Sequence, residues 1–289
     1  MCRLLGTVAM TSVIWGAVAC GNDLPMSKAC DSNLPLIKAS YAGDADRVRQ
    51  LLAEGADVNV RDNWSDTPLT CAAAGGHNEV AMLLLEAKPD VDAQNTGFGS
   101  TALMLASEKG NSSLVEALLR RHASVDTKNK RGASALWVAA RNGHTQVVTM
   151  LLDAGADANT SDPDGQTALY AAAWKGRVGA LRVLIARGAD VNARERYKWT
   201  PLMIASAERH EPIVRALLDA RADVNAINVY TRTALWYAGL YGDKVILRAL
   251  LEAGADKSIR DRDGVTARDI AARKGHADVV KFLEDGSPN

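Results

Sequence analysis

Residues 162–192 read DPDGQTALYAAAWKGRVGALRVLIARGADVN, and the fold follows from how this stretch is punctuated. Asp164-Gly165 is a turn. Thr167 stands where its hydroxyl can accept an N–H that the start of a helix leaves unpaired. The small pair Ala172-Ala173 lets that helix lie close to its neighbours, and Gly176 ends it. A second helix follows at once, and Gly188 supplies a left-handed exit that a residue with a Cβ resists. The unit is therefore helix, turn, helix, loop.

The same unit recurs in both directions. Leu169 shares one position with Leu36, Leu69, Leu103, Leu136, Leu202, Leu235 and Arg268, in steps of 33 residues with a single step of 34. A fixed period of this length marks a stacked array. The extra residue falls in Thr96-Gly97-Phe98-Gly99, a turn where an insertion displaces no packed element. The helix cap returns at Thr67, Thr101, Ser134, Thr200, Thr233 and Thr266, with Pro68 and Pro201 in first turns where a missing N–H is not felt. Apolar spacing such as Val147-Val148-Leu151-Leu152 gives the second helix one buried face.

These residues resemble the ankyrin repeat, whose pattern D-x-x-G-x-T-P-L-H-x-A-A-x-x-G-H, V-V, L-L, G-A-D-V-N is nearly quoted by Asp162 to Asn192. The resemblance covers about residues 30 to 285. It implies an all-α solenoid of about eight helix-turn-helix repeats joined by β-hairpin turns, and protein binding as the general role. Lys88, His122 and Arg221 replace the exit glycine, and Arg209 the glycine that ends the first helix. If these residues keep a positive φ, each costs about 1 kcal/mol and softens its repeat. Arg268 replaces the buried Leu of the last unit, and Asp269, Arg273, Lys274, Asp278, Lys281 and Glu284 wet its outer side, as a terminal repeat requires.

Composition agrees with an array. Hydrophobic residues are 47% of the chain but aromatic residues only 5%, so the apolar content is mostly Ala, Leu and Val. Lys plus Arg and Asp plus Glu both number 34, which leaves no basic field to hold nucleic acid. The start of the chain differs. Arg3 is the only charge before the apolar run Leu4 to Ala19, whose 16 residues fall short of the ~20 that span a bilayer. Residues 1–19 read as a signal peptide. Val18-Ala19-Cys20-Gly21 resembles the lipobox of bacterial lipoproteins, although Ala17 stands where that family usually has Leu. The resemblance implies a lipid on Cys20 and a periplasmic, membrane-anchored protein. Ala17-Val18-Ala19 also fits an ordinary cleavage site, and a soluble periplasmic or secreted form would leave Cys20 to pair with Cys30, Cys71 being placed in a repeat helix. The chain then divides into a signal at 1–19, a lipid-attachment Cys and linker at 20–32, the repeat domain at 33–286 and a tail at 287–289.

No catalytic or metal constellation converges. His77, His144, His210 and His276 share one repeat position, and stacked repeats set equivalent residues about 10 Å apart, too far for ~2 Å bonds to one ion. Asp157, Asn159 and Ser161 alternate like the start of a calcium loop, but Asp162 replaces its glycine and Ala168 its final carboxylate. There is no G-x-x-x-x-G-K, G-x-S-x-G, H-E-x-x-H or C-x-x-C. The sequence is read as non-catalytic, with no cofactor, metal or small-molecule substrate.

Function must then lie in the positions that vary. Trp64, Phe98, Tyr197, Trp199 and Tyr230 occupy hairpins, while Tyr41, Trp174 and Tyr241 fall near the end of a first helix. Rings in solvent-facing turns read as binding anchors. Trp137, Tyr170 and Trp236 take the His position of the ankyrin pattern and read as filling between repeats. Lys130, Arg131, Arg141, Lys175, Arg196, Lys198 and Arg232 accompany the rings, which suggests an acidic patch on the partner. The expected protein-binding surface is Trp64, Phe98, Arg131, Arg141, Trp174, Lys175, Tyr197, Trp199, Tyr230 and Tyr241, on a concave face that bears the hairpins. The expected partners are another protein, whose identity the sequence does not give, and the membrane through lipid on Cys20. The role is inhibition, as by an immunity protein against an envelope-directed toxin, or alternatively that of a scaffold or chaperone-like tether for envelope proteins or stress-response enzymes.

Overall fold

In a computed structural model that describes Cys30 and residues 32–285, the chain forms sixteen helices in eight pairs. The first helices are α1 (Pro35–Ala42), α3 (Pro68–Gly75), α5 (Ala102–Lys109), α7 (Ala135–Asn142), α9 (Ala168–Trp174), α11 (Pro201–Ala207), α13 (Ala234–Tyr241) and α15 (Ala267–Arg273). The second helices are α2 (Ala45–Ala53), α4 (Asn78–Glu86), α6 (Ser112–Arg120), α8 (Thr145–Asp153), α10 (Val178–Ala186), α12 (Glu211–Asp219), α14 (Lys244–Glu252) and α16 (Ala277–Asp285). Each first helix packs on its own partner and on the first helix of the next repeat, and the second helices form a parallel row behind. The expected signal peptide, Cys20 and the tail lie outside the described residues.

Local chemistry explains each boundary. Thr67, Thr101, Ser134, Thr167, Thr200, Thr233 and Thr266 each accept the N–H three residues on. Leu34, before the first helix, has no such side chain to offer. The recurring Leu faces the core: Leu36, Leu69, Leu103, Leu136, Leu169, Leu202 and Leu235 are all buried. Lys88, His122, Arg209 and Arg221 do keep positive φ, at 56°, 60°, 62° and 61°, and Ser65, Lys198 and Thr231 do the same at the tip position that is glycine in other repeats. Each carries the strain expected of it.

The loops differ from expectation in one respect. No strand forms among the described residues, and the only β-type pairing is an isolated antiparallel bridge between Ser161 and Thr167. Each turn is closed by a backbone hydrogen bond across it, as from the Asp62 N–H to the Asp66 carbonyl, and by one side chain. Asp62, Asp162, Glu195, Asn228 and Asp261 accept the N–H groups two and four residues ahead. Asn129 does the same for Arg131 and Ala133, and Asn95 for Phe98 and Ser100 across the inserted residue.

Successive tips are tied by one backbone hydrogen bond each. Thr96 donates to the Trp64 carbonyl, Lys130 to Phe98, Arg196 to Asp164, Val229 to Tyr197 and Arg262 to Tyr230. The missing rung falls at Pro163, which holds the donor position and has no N–H. Its ring also sits over Gly132, where φ is 78° and an added Cβ would collide with the Pro163 Cδ.

Gly132→Ala should therefore destabilise the protein by about 2 kcal/mol, from strain and collision together. Adding Pro163→Ala should restore part of that loss, with a non-additivity of at least about 0.5 kcal/mol in denaturant melts of the two single variants and the double. Simple additivity would mean that the ring is no obstacle.

Candidate functional site

The tips and the ends of the first helices line one edge of the array, and there the expected binding residues separate into two groups. Trp64 is 56% exposed, Tyr197 40% and Tyr230 38%, while Phe98, Arg131, Arg141, Lys175 and Tyr241 are half-buried. Trp174 and Trp199 are buried, at 9% and 8% exposed, and this corrects their reading as anchors. The reason for Trp199 is its place in the turn. It lies four residues after Glu195, the position that turns back onto the helices, whereas Tyr197 lies two residues after it and projects. The Trp199 ring stacks on Tyr237, with centroids 4.4 Å apart. Trp174 packs in the core, its ring faces the Lys175 ammonium at 4.3 Å, and its carbonyl accepts from the His210 ring. Trp137, Tyr170 and Trp236 are buried as expected.

Cations lie over the rings through five repeats. Arg131 covers Phe98 at 5.1 Å, Arg141 covers Trp137 at 5.8 Å, and Arg196 lies 5.8 Å from Tyr197. Arg232 serves two rings, at 4.0 Å from Trp236 and 5.5 Å from Tyr230, and its Nε donates to Asp261 at 3.2 Å. Such contacts are worth about 0.5–1 kcal/mol when exposed and more when dry. Arg196 also ties its tip to the previous one, pairing with Asp164 at 3.4 Å, and Lys130 does so by donating to the Thr96 carbonyl.

At the sixth to eighth repeats the rings form one cluster, whose centre, Tyr237, the sequence did not single out. Tyr237 is fully buried between Trp199 and Trp236, and Asn228 Nδ2 donates to its hydroxyl oxygen at 2.9 Å. Burial raises the Tyr237 and Tyr241 hydroxyls above their ordinary pKa. Burial also raises the Glu195 carboxyl, against the pull of the Trp199 and Tyr197 N–H groups. Next to this cluster, between α13 and α15, a cavity of about 380 Å³ is lined by Trp236, Tyr241, Val265, Ile270, Arg273 and Lys274, with Arg232 and Asp261 in its wall.

The four repeat histidines have a structural task. The Nε2 atoms of His77, His144, His210 and His276 sit 2.8–3.1 Å from the carbonyls of Tyr41, Glu108, Trp174 and Leu240, each 36 residues earlier. One group of possible metal ligands does converge among the described residues, at Cys30, Asp66 and Cys71. Its two sulfurs are joined in a disulfide, with Cα atoms 5.8 Å apart, so neither is available as a thiolate. This bond also corrects the Cys20–Cys30 alternative. Cys71 faces out of α3 toward Ile37 and Cys30, in a small apolar cluster beneath the segment that precedes α1.

A family model described as ankyrin repeats (3 copies) matches residues 36–129, 103–195, 156–228, 194–261 and 227–288. The ankyrin repeat and KH domain-containing protein mask of Drosophila melanogaster is 42% identical over 98 residues, 34% of this chain and 2% of that protein. The human ankyrin repeat and KH domain-containing protein 1 is 39% identical over 98 residues, 34% of this chain and 4% of that protein. The neurogenic locus notch homolog protein 1 of Xenopus laevis is 36% identical over 97 residues, 33% of this chain and 4% of that protein. The chain thus spans 2–4% of the length of these relatives.

The two kinds of tip ring should separate in mutagenesis. Trp199→Ala removes a buried, stacked ring and should cost about 3–5 kcal/mol of stability. Tyr230→Ala and Tyr197→Ala remove half-solvated rings and should cost less than about 1 kcal/mol. Thermal melts of the three variants decide it. A Trp199→Ala protein as stable as Tyr230→Ala would return Trp199 to the exposed surface.

Proposed function

The chain belongs to the ankyrin-repeat family, and on that premise we propose that it is a non-catalytic module that grips a partner protein along the edge formed by its tips and first-helix ends. The observation that carries this reading is the row of exposed and half-buried rings, Trp64, Phe98, Tyr197 and Tyr230, the last three with a guanidinium over them. Large rings held stiffly at a surface supply contact area at little entropic cost, and the cations beside them favour a partner rich in carboxylates. The named relatives share the repeat over a third of this chain, so their other domains carry no argument here.

We further propose that the protein is exported to the bacterial envelope and anchored there by lipid on Cys20. The apolar run Leu4 to Ala19 and the lipobox-like segment ending at Cys20 support export. The Cys30–Cys71 disulfide supports it independently, because such bonds persist in oxidising compartments. With Cys30 committed to Cys71, Cys20 has no disulfide partner in a chain that has shed Cys2. That favours the lipid over the soluble form. Within this setting, inhibition of an envelope-directed toxin is the specific role that a stiff, aromatic-edged surface suits.

Fatty-acid labelling should mark the wild-type protein, and Cys20→Ser should abolish the label and release the chain into the soluble periplasmic fraction. An unlabelled, soluble wild type would reject the anchor. In affinity capture from envelope extract, the double variant Tyr197→Ala and Tyr230→Ala should retain at least tenfold less of the partner than wild type, about 1.4 kcal/mol. Equal recovery would place the interface elsewhere, and release of a toxin's activity by the same variant would establish the inhibitory role.

A further inference from the structure

The cavity between α13 and α15 has a cause in the repeat register. Trp137, Tyr170, Met203 and Trp236 occupy one position, and at that position the last repeat carries Asp269. The Asp269 carboxylate turns away to accept the Thr266 N–H at the start of α15. At the tip, Trp199 and Arg232 hold the position that Val265 holds in the last repeat. The two preceding tips thus each place a large planar group over a ring, Trp199 on Tyr237 and Arg232 on Trp236. The last tip does not, and the space stays open.

Its floor is apolar, made by Trp236, Leu240, Val265 and Ile270. Its rim is not. Arg273 and Lys274 stand exposed at the end of α15, outside the ion pairs of the last repeat, which run through Arg260, Arg268, Asp269 and Glu284. Of the two acids that also line the cavity, Asp261 is paired with Arg232, which leaves Asp263 against the two cations. The Trp236 indole N–H is buried without an acceptor among the described residues.

We propose that this cavity is an anchor pocket for one aromatic side chain of a partner protein, set beside a carboxylate of the same segment that Arg273 and Lys274 receive. The inference rests on the protein-binding reading and names a place and a chemistry for it. A volume of about 380 Å³ lies at the low end of the ~300–1,000 Å³ of ligand clefts, enough for one ring and its flanking backbone. A ring there would complete the stack that the array builds from its own side chains one repeat earlier. The two cations at the rim select an acidic neighbour over a basic one.

The test uses the full chain and the blocked tripeptide acetyl-Glu-Phe-Glu-amide, followed through the indole N–H resonance of Trp236. Saturable shifts are expected, with at least tenfold weaker binding of acetyl-Lys-Phe-Lys-amide and of acetyl-Glu-Ala-Glu-amide. Val265→Trp, which places in the last tip the residue that the sixth repeat has, should fill the pocket and weaken the tripeptide at least tenfold. Arg273→Glu with Lys274→Glu should reverse the preference between the acidic and basic peptides, and it leaves the apolar floor intact should Val265→Trp disturb folding. Absence of saturable shifts, equal binding of the three peptides, or no reversal by the charge variant would overturn the proposal. So would 3-phenylpropionate binding tenfold tighter than the peptide, which would make the occupant a free aromatic acid. Capture that depends on Tyr197 and Tyr230 does not use this cavity, so its success beside an inert pocket would reject the pocket alone.

Discussion

The side chains of Asn59, Asp92, Asp126, Asn159, Asn192 and Asn225 each accept a backbone N–H from the exit loop of the following repeat, at 2.7–3.4 Å. With the histidine rings on the carbonyls 36 residues earlier, they hold each unit to the next. A single pair of short helices could not bury its Leu and Ala face alone, so every other feature depends on this neighbour-to-neighbour contact. Even the choice of glycine follows from it. At Gly242 φ is 69°, and a Cβ there would lie 2.6 Å from the His276 ring of the next repeat. The residue is fixed by backbone conformation and by its neighbour at once.

Much of this was legible because one solution is written eight times. The register of Leu36 to Leu235, the Thr and Ser caps and the strained residues at Lys88, His122, Arg209 and Arg221 could all be placed by position alone. What a period cannot show is which way an exceptional residue points. Trp199 looks like Tyr197 in a list of tip aromatics, yet the two differ in depth. A usable signal was present: its equivalents Asp66, Ser100 and Ala133 all directly precede the cap residue, and all are buried. The Cys30–Cys71 bond was hidden for another reason. It joins a segment ahead of the first repeat to a helix of the second, and only the folded path of that segment brings the sulfurs together.

The first and the last described repeats depart from the inner ones in different ways. At the start, Leu34 cannot cap α1 with a side chain, and the disulfide from Cys30 to Cys71 ties the leading segment to α3 instead. Closing a loop of this length typically contributes about 2–4 kcal/mol. At the far end there is no covalent tie. Arg268 pairs with Glu284 on the outer side, Asp269 serves as a cap, and the aromatic filling of earlier repeats stops. The open space beside Trp236 thus follows from Val265 and Asp269 standing where the repeat before carries Arg232 and Trp236.

The edge is also divided along its length. Pro163 removes one rung from the ladder of tip hydrogen bonds, so the backbone ties run unbroken from Trp64 to Lys130 and again from Asp164 to Arg262. The exposed rings fall on either side of that gap, Trp64 and Phe98 before it, Tyr197 and Tyr230 after it. In the second run the rings also lie beside cations that are themselves paired, as Arg196 is to Asp164 and Arg232 to Asp261. Side chains held this way have little rotamer freedom left to lose on association, which is where pre-organised surfaces gain their affinity. The second run carries more of this bracing, since Arg232 joins Tyr230, Trp236 and Asp261 in one contact. Bracing contacts are therefore most numerous where the exposed tyrosines of the sixth and seventh repeats stand.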